Sequence, residues 1–249
     1  MFIRLAMCNL ACSFCDTYFS SGTWMTIEEI EIKLHERWGT FYDTGFETAP
    51  KFSDMALIIT GGEPSLQNIL PLCEEMHEHF KYVQIESNGI IMPRIPIETI
   101  LVVSPKCLEK NGKAVKYLMP NSQVLERANC LKFVISSEED SPYHTIPDWA
   151  IEWKNEPLGG QRQPIPNREI YISPMNMYLA EPQAHRAALV GKNSLTLDER
   201  SVINEVISFW EPGLLDMKAN QENHQYAAKY CVQNGLKLSL QQHLYVSMA

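Results

Sequence analysis

The chain has 249 residues, of which 45% are hydrophobic, a length and composition that suit one α/β domain with a real core and exclude a disordered segment. A formal charge of −9, with no Lys/Arg run or basic stripe, argues against a nucleic-acid surface, while leaving room for a local cationic site for a small anion. No apolar run reaches the ~20 residues that span a bilayer, and no cationic-then-apolar leader opens the chain. Of the seven cysteines, three lie between Cys8 and Cys15, which reads as a metal site in a reducing cytoplasm rather than as a disulfide framework.

In chain order, short β-branched runs alternate with helical periodicity. Strands are expected at Phe2–Leu5, Ala56–Thr60, Tyr82–Ser87, Ile100–Ser104, Leu131–Ser136, Glu169–Ser173 and Leu236–Leu240. Several are apolar almost throughout, as in a parallel sheet covered on both faces. Thr26 and Glu29 form a capping box ahead of Ile27, Ile30, Leu34 and Trp38, which share one helical face. Asn68 is placed to cap a second helix with Pro71 in its first turn. The stretch 137–168 holds five prolines and a Gly-Gly pair and reads as a long loop or lid inserted into a single domain spanning 1–249. Thr196 and Glu199 repeat the capping-box pattern, and a last helix is expected from about Asn223 to Asn234, closed by Gly235. The alternation predicts βα units with a mostly parallel sheet or barrel.

The sequence Arg4-Leu-Ala-Met-Cys8-Asn-Leu-Ala-Cys12-Ser-Phe-Cys15-Asp16-Thr17 comes directly after the first strand, so its cysteines fall on a loop at a strand's C-terminal end, where α/β barrels carry chemistry. Short loops of this kind bring several thiolates to one iron–sulfur cluster. A [4Fe–4S] cluster held by three cysteines keeps one iron open to a ligand from outside the protein. The other reading is a structural zinc site, but such sites close with four ligands, and Asn9 and Asp16 are poor fourth partners. Cys73 and Cys231 fall in expected helices and read as small core residues.

CxxxCxxC with an aromatic, Phe14, before the last cysteine resembles the signature of the radical S-adenosylmethionine superfamily. Further motifs end successive strands: Thr60-Gly-Gly-Glu-Pro64, Glu86-Ser-Asn-Gly89, Ser104-Pro-Lys106, Tyr171-Ile-Ser-Pro-Met-Asn176 and, near the C-terminus, Leu238-Ser-Leu-Gln-Gln-His243. With Cys15-Asp-Thr17 they resemble, in order and along nearly the whole chain, the 7-carboxy-7-deazaguanine synthase family within that superfamily. The resemblance implies an α/β fold of the partial, open βα-barrel type. It implies a cluster on Cys8, Cys12 and Cys15 whose open iron is chelated by S-adenosylmethionine, and reductive cleavage of that cofactor to methionine and a 5′-deoxyadenosyl radical. The substrate so implied is 6-carboxy-tetrahydropterin, contracted to 7-carboxy-7-deazaguanine with loss of ammonia. Mg²⁺, a flavodoxin-like or ferredoxin-like electron donor and a homodimeric state come with the resemblance; nucleic acid and membrane do not.

Residue by residue, the resemblance puts S-adenosylmethionine against Phe14, Cys15 and Asp16, against the Gly61-Gly62 turn, and along Ser104, Pro105 and Lys106. A further cofactor stretch is Ser173, Pro174, Met175 and Asn176, with Ser173 standing where Gln is common. Thr17 is implied as the Mg²⁺ ligand, a hard-oxygen role that suits that ion. Arg4 is implied to hold the substrate carboxylate, as a guanidinium can in bidentate fashion, with Thr60 also facing the substrate. Glu86 is expected to contact the pterin ring or to move a proton, and His243 is either a substrate contact or a structural histidine. Gly61 and Gly62 also fit a plain tight turn, and Thr17 a cap.

Besides Ser173, two positions and one stretch depart from the family pattern. Met7 replaces the usual glycine before the first cysteine, Leu244 stands where lysine is common, and 137–168 has the look of an insertion. In the family an Ile-Gln-Gly-Glu-Gly-type strand precedes the cysteine strand and holds the pterin. Here the reading begins at Met1-Phe2-Ile3-Arg4, so an in-frame segment upstream, another stretch of the chain, or a different substrate is expected to take that place. A glycyl-radical activase and a non-catalytic relative that keeps the cluster are the alternatives.

Overall fold

In the computed structural model the described residues are 1–15, 17, 19, 22–42, 52–156, 168–178 and 215–241, without the side chains of 38 and 40–42. The expected Thr196–Glu199 helix start, Asp16 and the 242–244 segment with His243 and Leu244 lie outside them. The chain divides into two compact units, one made of Met1–Asn9, Phe19–Val103 and Pro120–Asn129, the other of Leu10–Tyr18, Ser104–Met119 and Cys130–Ala249.

The first unit carries four parallel strands, β1 (Phe2–Leu5), β2 (Ala56–Gly61), β3 (Tyr82–Ser87) and β4 (Ile100–Val103), paired in that order. Parallel neighbours need crossovers, and two of these are helical: α1 (Ile27–Tyr42) between β1 and β2, and α2 (Leu70–His79) between β2 and β3. One face of these strands is fully buried by Leu57, Ile59, Val83, Ile85, Leu101 and Val103, each at 0% exposure. Burial of that kind, at roughly 1.5–3 kcal/mol per large aliphatic side chain, is what holds the sheet. α1 starts with the expected capping box: Thr26 N donates to Glu29 at 2.7 Å, and Glu29 N to the Thr26 hydroxyl at 3.2 Å. α2 starts differently from the expectation. Ile69, not Asn68, is its N-cap, and no side chain caps it. Ile69 is buried, at 3% exposure, so its apolar burial rather than a side-chain hydrogen bond sets the start. A short helix, α3 (Ser122–Arg127), is capped by Asn121, whose side chain accepts from Gln123 N at 2.9 Å.

The second unit opens with an antiparallel hairpin, β5 (Cys107–Lys110) and β6 (Lys113–Tyr117). The hairpin turns on Asn111-Gly112, both at positive φ (51° and 71°), as the two-residue turn that matches strand twist requires. Beyond it β7 (Cys130–Ile135), β8 (Glu169–Pro174) and β9 (Lys237–Leu238) pair in parallel. The stretch 137–168, expected as a loop or lid, carries short helical pieces within its described part. It contains a 3-10 turn at Pro142–His144 and a helix, α4 (Asp148–Asn155). The prolines there start helices rather than break them: Pro142 lies in the first turn of the 3-10 segment, and Pro147 is the N-cap of α4. The last helix, α5, runs Met217–Asn234, longer at its start than expected. Asp216 caps it by accepting from Ala219 N at 3.0 Å, and Gly235 closes it in the left-handed conformation.

Among the described residues, seven of the nine strands are thus paired in parallel, and the α/β class with mostly parallel strands is the one observed. Gly112→Ala forces a side chain into the left-handed region at the hairpin turn. It is expected to lower the unfolding free energy by about 1 kcal/mol in urea denaturation, whereas Asn111→Gly should leave it near neutral.

Candidate active site

In the first unit the turn after β2 is built against the root of the cysteine loop. Gly62 N donates to Leu5 O at 2.8 Å and Glu63 N to Met7 O at 2.7 Å. A Cβ on Gly62 would lie 1.9 Å from Met7 O, and one on Gly61, where φ is +110°, would lie 2.4 Å from the Leu5 backbone. Both glycines are therefore demanded by the chain's own backbone, immediately before Cys8. Met7 itself has φ +70°, a conformation that ordinarily favours glycine and costs about 1–2 kcal/mol for other residues. The position that departs from the family's glycine is thus the strained one.

Glu63 is the residue whose role went unread in the sequence, although it lies inside a quoted motif. It is 1% exposed. Its carboxylate accepts from Ser65 N at 3.0 Å, from the Ser65 hydroxyl at 2.6 Å, from the Ser87 hydroxyl at 2.8 Å and from Asn88 N at 2.7 Å. Asn88 in turn donates from its amide to Asn9 Oδ1 at 2.7 Å, beside Cys8. The Thr60–Pro64 and Glu86–Gly89 motifs are thereby locked to each other and to the flank of the first cysteine. The signal was present: a carboxylate ahead of Pro-Ser caps the short helix that begins there.

Strand register arranges the expected substrate residues. Arg4 is the partner of Thr60 across β1 and β2, and Glu86 of Val102 across β3 and β4. Since Ile59 pairs with Ile85, the next positions, Thr60 and Glu86, also neighbour each other. Side chains alternate along a strand, so Arg4, Thr60 and Glu86 form one row on the face opposite the apolar core, near the C-terminal ends of the strands. Arg4 is exposed, its guanidinium 5.8 Å from the Phe2 ring centre, while Thr60 and Glu86 are half-buried.

In the second unit Cys12 is buried and Cys15 half-buried, with Cys15 N donating to Cys12 O at 3.1 Å across a tight turn. Ser13 inside that turn donates from its backbone N to both oxygens of Glu109, at 3.1 and 2.9 Å, and from its hydroxyl at 3.3 Å. The β5–β6 hairpin, absent from the sequence expectation, is therefore what anchors the turn between two of the cysteines. Thr17 is half-buried, and its carbonyl lies 3.6 Å from the Cys15 sulfur. Lys106 folds back so that its ammonium donates to Ser104 O at 2.8 Å and to the Ser104 hydroxyl at 2.6 Å. Ser173, Pro174, Met175 and Asn176 are all buried at the end of β8. Two asparagines of α5 hold the backbone there. Asn223 donates to Met175 O at 2.8 Å, and Asn220 accepts from Met177 N at 2.6 Å and donates to Met177 O at 3.2 Å. Asn176 donates to Gln241, joining two of the quoted motifs.

The thiols fit an iron–sulfur cluster. None of the seven cysteines forms a disulfide, and soft sulfur donors on one short loop are what such clusters take. The remaining four are buried, and burial pushes the Cys73 and Cys107 thiols up to about 12, so these stay protonated core groups.

Among curated proteins the chain is 27% identical over 248 residues to the 7-carboxy-7-deazaguanine synthase of Rickettsia prowazekii, covering all of this chain and 80% of that protein. It is 42% identical over 89 residues to the enzyme of the same name from Bacteroides thetaiotaomicron, covering 36% of this chain and 41% of the relative. It is 30% identical over 152 residues to that of Escherichia coli, covering 56% and 65%. The chain is a relative of the 7-carboxy-7-deazaguanine synthases. The match thus spans four fifths of one such synthase and less than two thirds of the other two. No family model matches. The crystal structure of QueE from Escherichia coli shares the fold, with a TM-score of 0.50 at 20% identity, over 96% of this chain and 84% of that one. The α/β fold expected from the resemblance to radical S-adenosylmethionine synthases is the one this likeness supports.

Removing Glu63 leaves the buried Ser87 hydroxyl and Asn88 N–H without their acceptor. Glu63→Ala is expected to lower stability by about 3 kcal/mol in urea denaturation and Glu63→Gln by about half that; an Ala variant as stable as the parent would refute the bracing role.

Proposed function

We propose that the protein is a 7-carboxy-7-deazaguanine synthase, converting 6-carboxy-5,6,7,8-tetrahydropterin to 7-carboxy-7-deazaguanine with release of ammonia. The observation that carries this reading is the row of Arg4, Thr60 and Glu86 on one strand face, at the end from which the cysteine loop departs, in a chain related to these synthases along its length.

Cys8, Cys12 and Cys15 would hold a [4Fe–4S] cluster. With S-adenosylmethionine bound, that cluster supplies the one-electron chemistry that generates an abstracting radical, and the protein supplies binding, orientation and a dry site. The chain's own contributions derive from the geometry. The Gly61–Glu63 turn fixes the backbone before Cys8, and its packing leaves no room for other side chains. Arg4 offers a charged fork to the substrate carboxylate. Thr60 offers a hydroxyl beside it, and Glu86, next in the row, can accept a hydrogen bond from a ring N–H or carry a proton. Phe14, Cys15, Asp16, Ser104, Pro105, Lys106 and Ser173–Asn176 form the S-adenosylmethionine stretches of this reading. Thr17 would offer its oxygen as the protein ligand to Mg²⁺, a hard ion that takes oxygen donors. His243 is read as a substrate contact. An electron from a flavodoxin-like or ferredoxin-like donor and a homodimeric, cytoplasmic enzyme complete the reading by resemblance. Among the described residues no helix is long and apolar enough to cross a membrane.

The test is anaerobic reconstitution, then addition of reductant, S-adenosylmethionine, Mg²⁺ and the carboxypterin. The deazaguanine product is expected, with loss of at least about 100-fold in rate for Arg4→Ala as a charged, bidentate contact is removed. Deoxyadenosine without that product would assign a different substrate. A loaded cluster that leaves S-adenosylmethionine intact would contradict the reading altogether.

A further inference from the structure

We propose that Tyr143 is a positioning residue that sets the spacing of three cofactor-bearing segments in the second unit; this rests on the assignment of those segments under the proposed function. Tyr143 comes from the 3-10 turn in the stretch that sequence patterning marks as a lid, and it is 2% exposed. Its ring meets Phe14, which lies between Cys12 and Cys15, edge-on at 5.1 Å between centroids and 86° between planes. Its hydroxyl accepts from Cys107 N at 2.8 Å, one residue past the Ser104–Lys106 turn. Met175, from the stretch that ends β8, packs in the same buried cluster with Tyr143 and Cys107. One side chain therefore touches the cysteine turn and the residue after the Ser-Pro-Lys turn, and shares a buried cluster with the Ser173–Asn176 stretch.

The three contacts differ in kind, which is why a tyrosine suits the position. The ring edge on Phe14 fixes how the cysteine turn is tilted, since edge-to-face pairs have a preferred geometry. The hydroxyl satisfies a buried backbone N–H, for which no aliphatic side chain could substitute. Tyr117 packs against the ring at 5.4 Å and is itself held by donating to Val134 O at 3.1 Å, so the Tyr143 ring has a fixed backing. Burial pushes the Tyr143 phenol far above its ordinary range, so the hydroxyl is neutral at any working pH. It acts by position and hydrogen bonding, not by charge.

Tyr143→Phe keeps the ring and the packing and removes only the acceptor for Cys107 N. In the reconstituted holoenzyme it is expected to hold wild-type iron and sulfide, and to melt a few degrees earlier because the buried Cys107 N–H loses its acceptor. Its Kd for S-adenosylmethionine, read from the change that the cofactor makes in the electron paramagnetic resonance spectrum of the reduced cluster, should rise about five- to tenfold. Turnover at saturating cofactor should stay within about twofold, a split between binding and rate that plain loss of stability does not produce. Tyr143→Leu, which also removes the ring edge from Phe14, should weaken binding further and lower iron loading. A Tyr143→Phe protein that binds S-adenosylmethionine as tightly as the parent, whether or not it melts earlier, would overturn the inference. A wild type with a full cluster whose spectrum does not respond to S-adenosylmethionine would overturn the reading of the site and this inference with it.

Discussion

Burying a carboxylate costs several kcal/mol unless donors replace the water it loses, and Glu63 sits among four hydrogen bonds from Ser65, Ser87 and Asn88. Around that one group the first unit organises its end of the sheet. The carboxylate ties the turn after β2 to the end of β3, and the backbone of the same turn is bonded to Leu5 and Met7. Asn88 carries the connection on to Asn9. Two of these links end at Met7 and Asn9, on either side of Cys8. The strand-end motifs therefore brace the loop that carries the cysteines. The strain at Met7 is tolerated within this frame, as left-handed non-glycine residues are when their surroundings over-determine them.

The second unit solves the same problem with other parts. The Cys12–Cys15 turn is held from outside by Glu109 of a hairpin and from within by the Phe14 ring. The end of β8 is held by two asparagines on α5, buried at 1% and 3% exposure, that bond backbone instead of packing. A helix normally presents an apolar stripe to its sheet. Here part of that stripe is amide, which gives up some apolar burial for fixed placement of the Met175–Met177 backbone.

Much of this was legible in the sequence, for identifiable reasons. The strands declared themselves because buried parallel strands are runs of Val, Ile and Leu, and the cysteine loop because its spacing is local. Thr26 and Glu29 showed their helix start for the same reason. What stayed hidden depended on partners far along the chain. The start of α5 contains Asn220 and Asn223, poor helix formers that are favourable only because their side chains reach Met177 and Met175. Pro142 and Pro147 looked like breakers because a proline ends one helix or begins another according to the residues on its C-terminal side. The hairpin at Asn111-Gly112 could have been found from that dipeptide. Its strands, rich in Lys and Glu, lack the apolar alternation that drew attention elsewhere. Arg4, Thr60 and Glu86 were each named from sequence as expected substrate contacts, but that they form a single row emerges only from the register.

The central claim is that three cysteines hold a four-iron cluster whose remaining iron takes S-adenosylmethionine. Mössbauer spectroscopy of the anaerobically reconstituted protein, with and without that cofactor, tests it most directly. The account predicts a [4Fe–4S] spectrum in which adding S-adenosylmethionine shifts one iron site and leaves the other three unchanged. A spectrum indifferent to the cofactor, or a protein that takes up zinc on these cysteines and assembles no cluster, would contradict it.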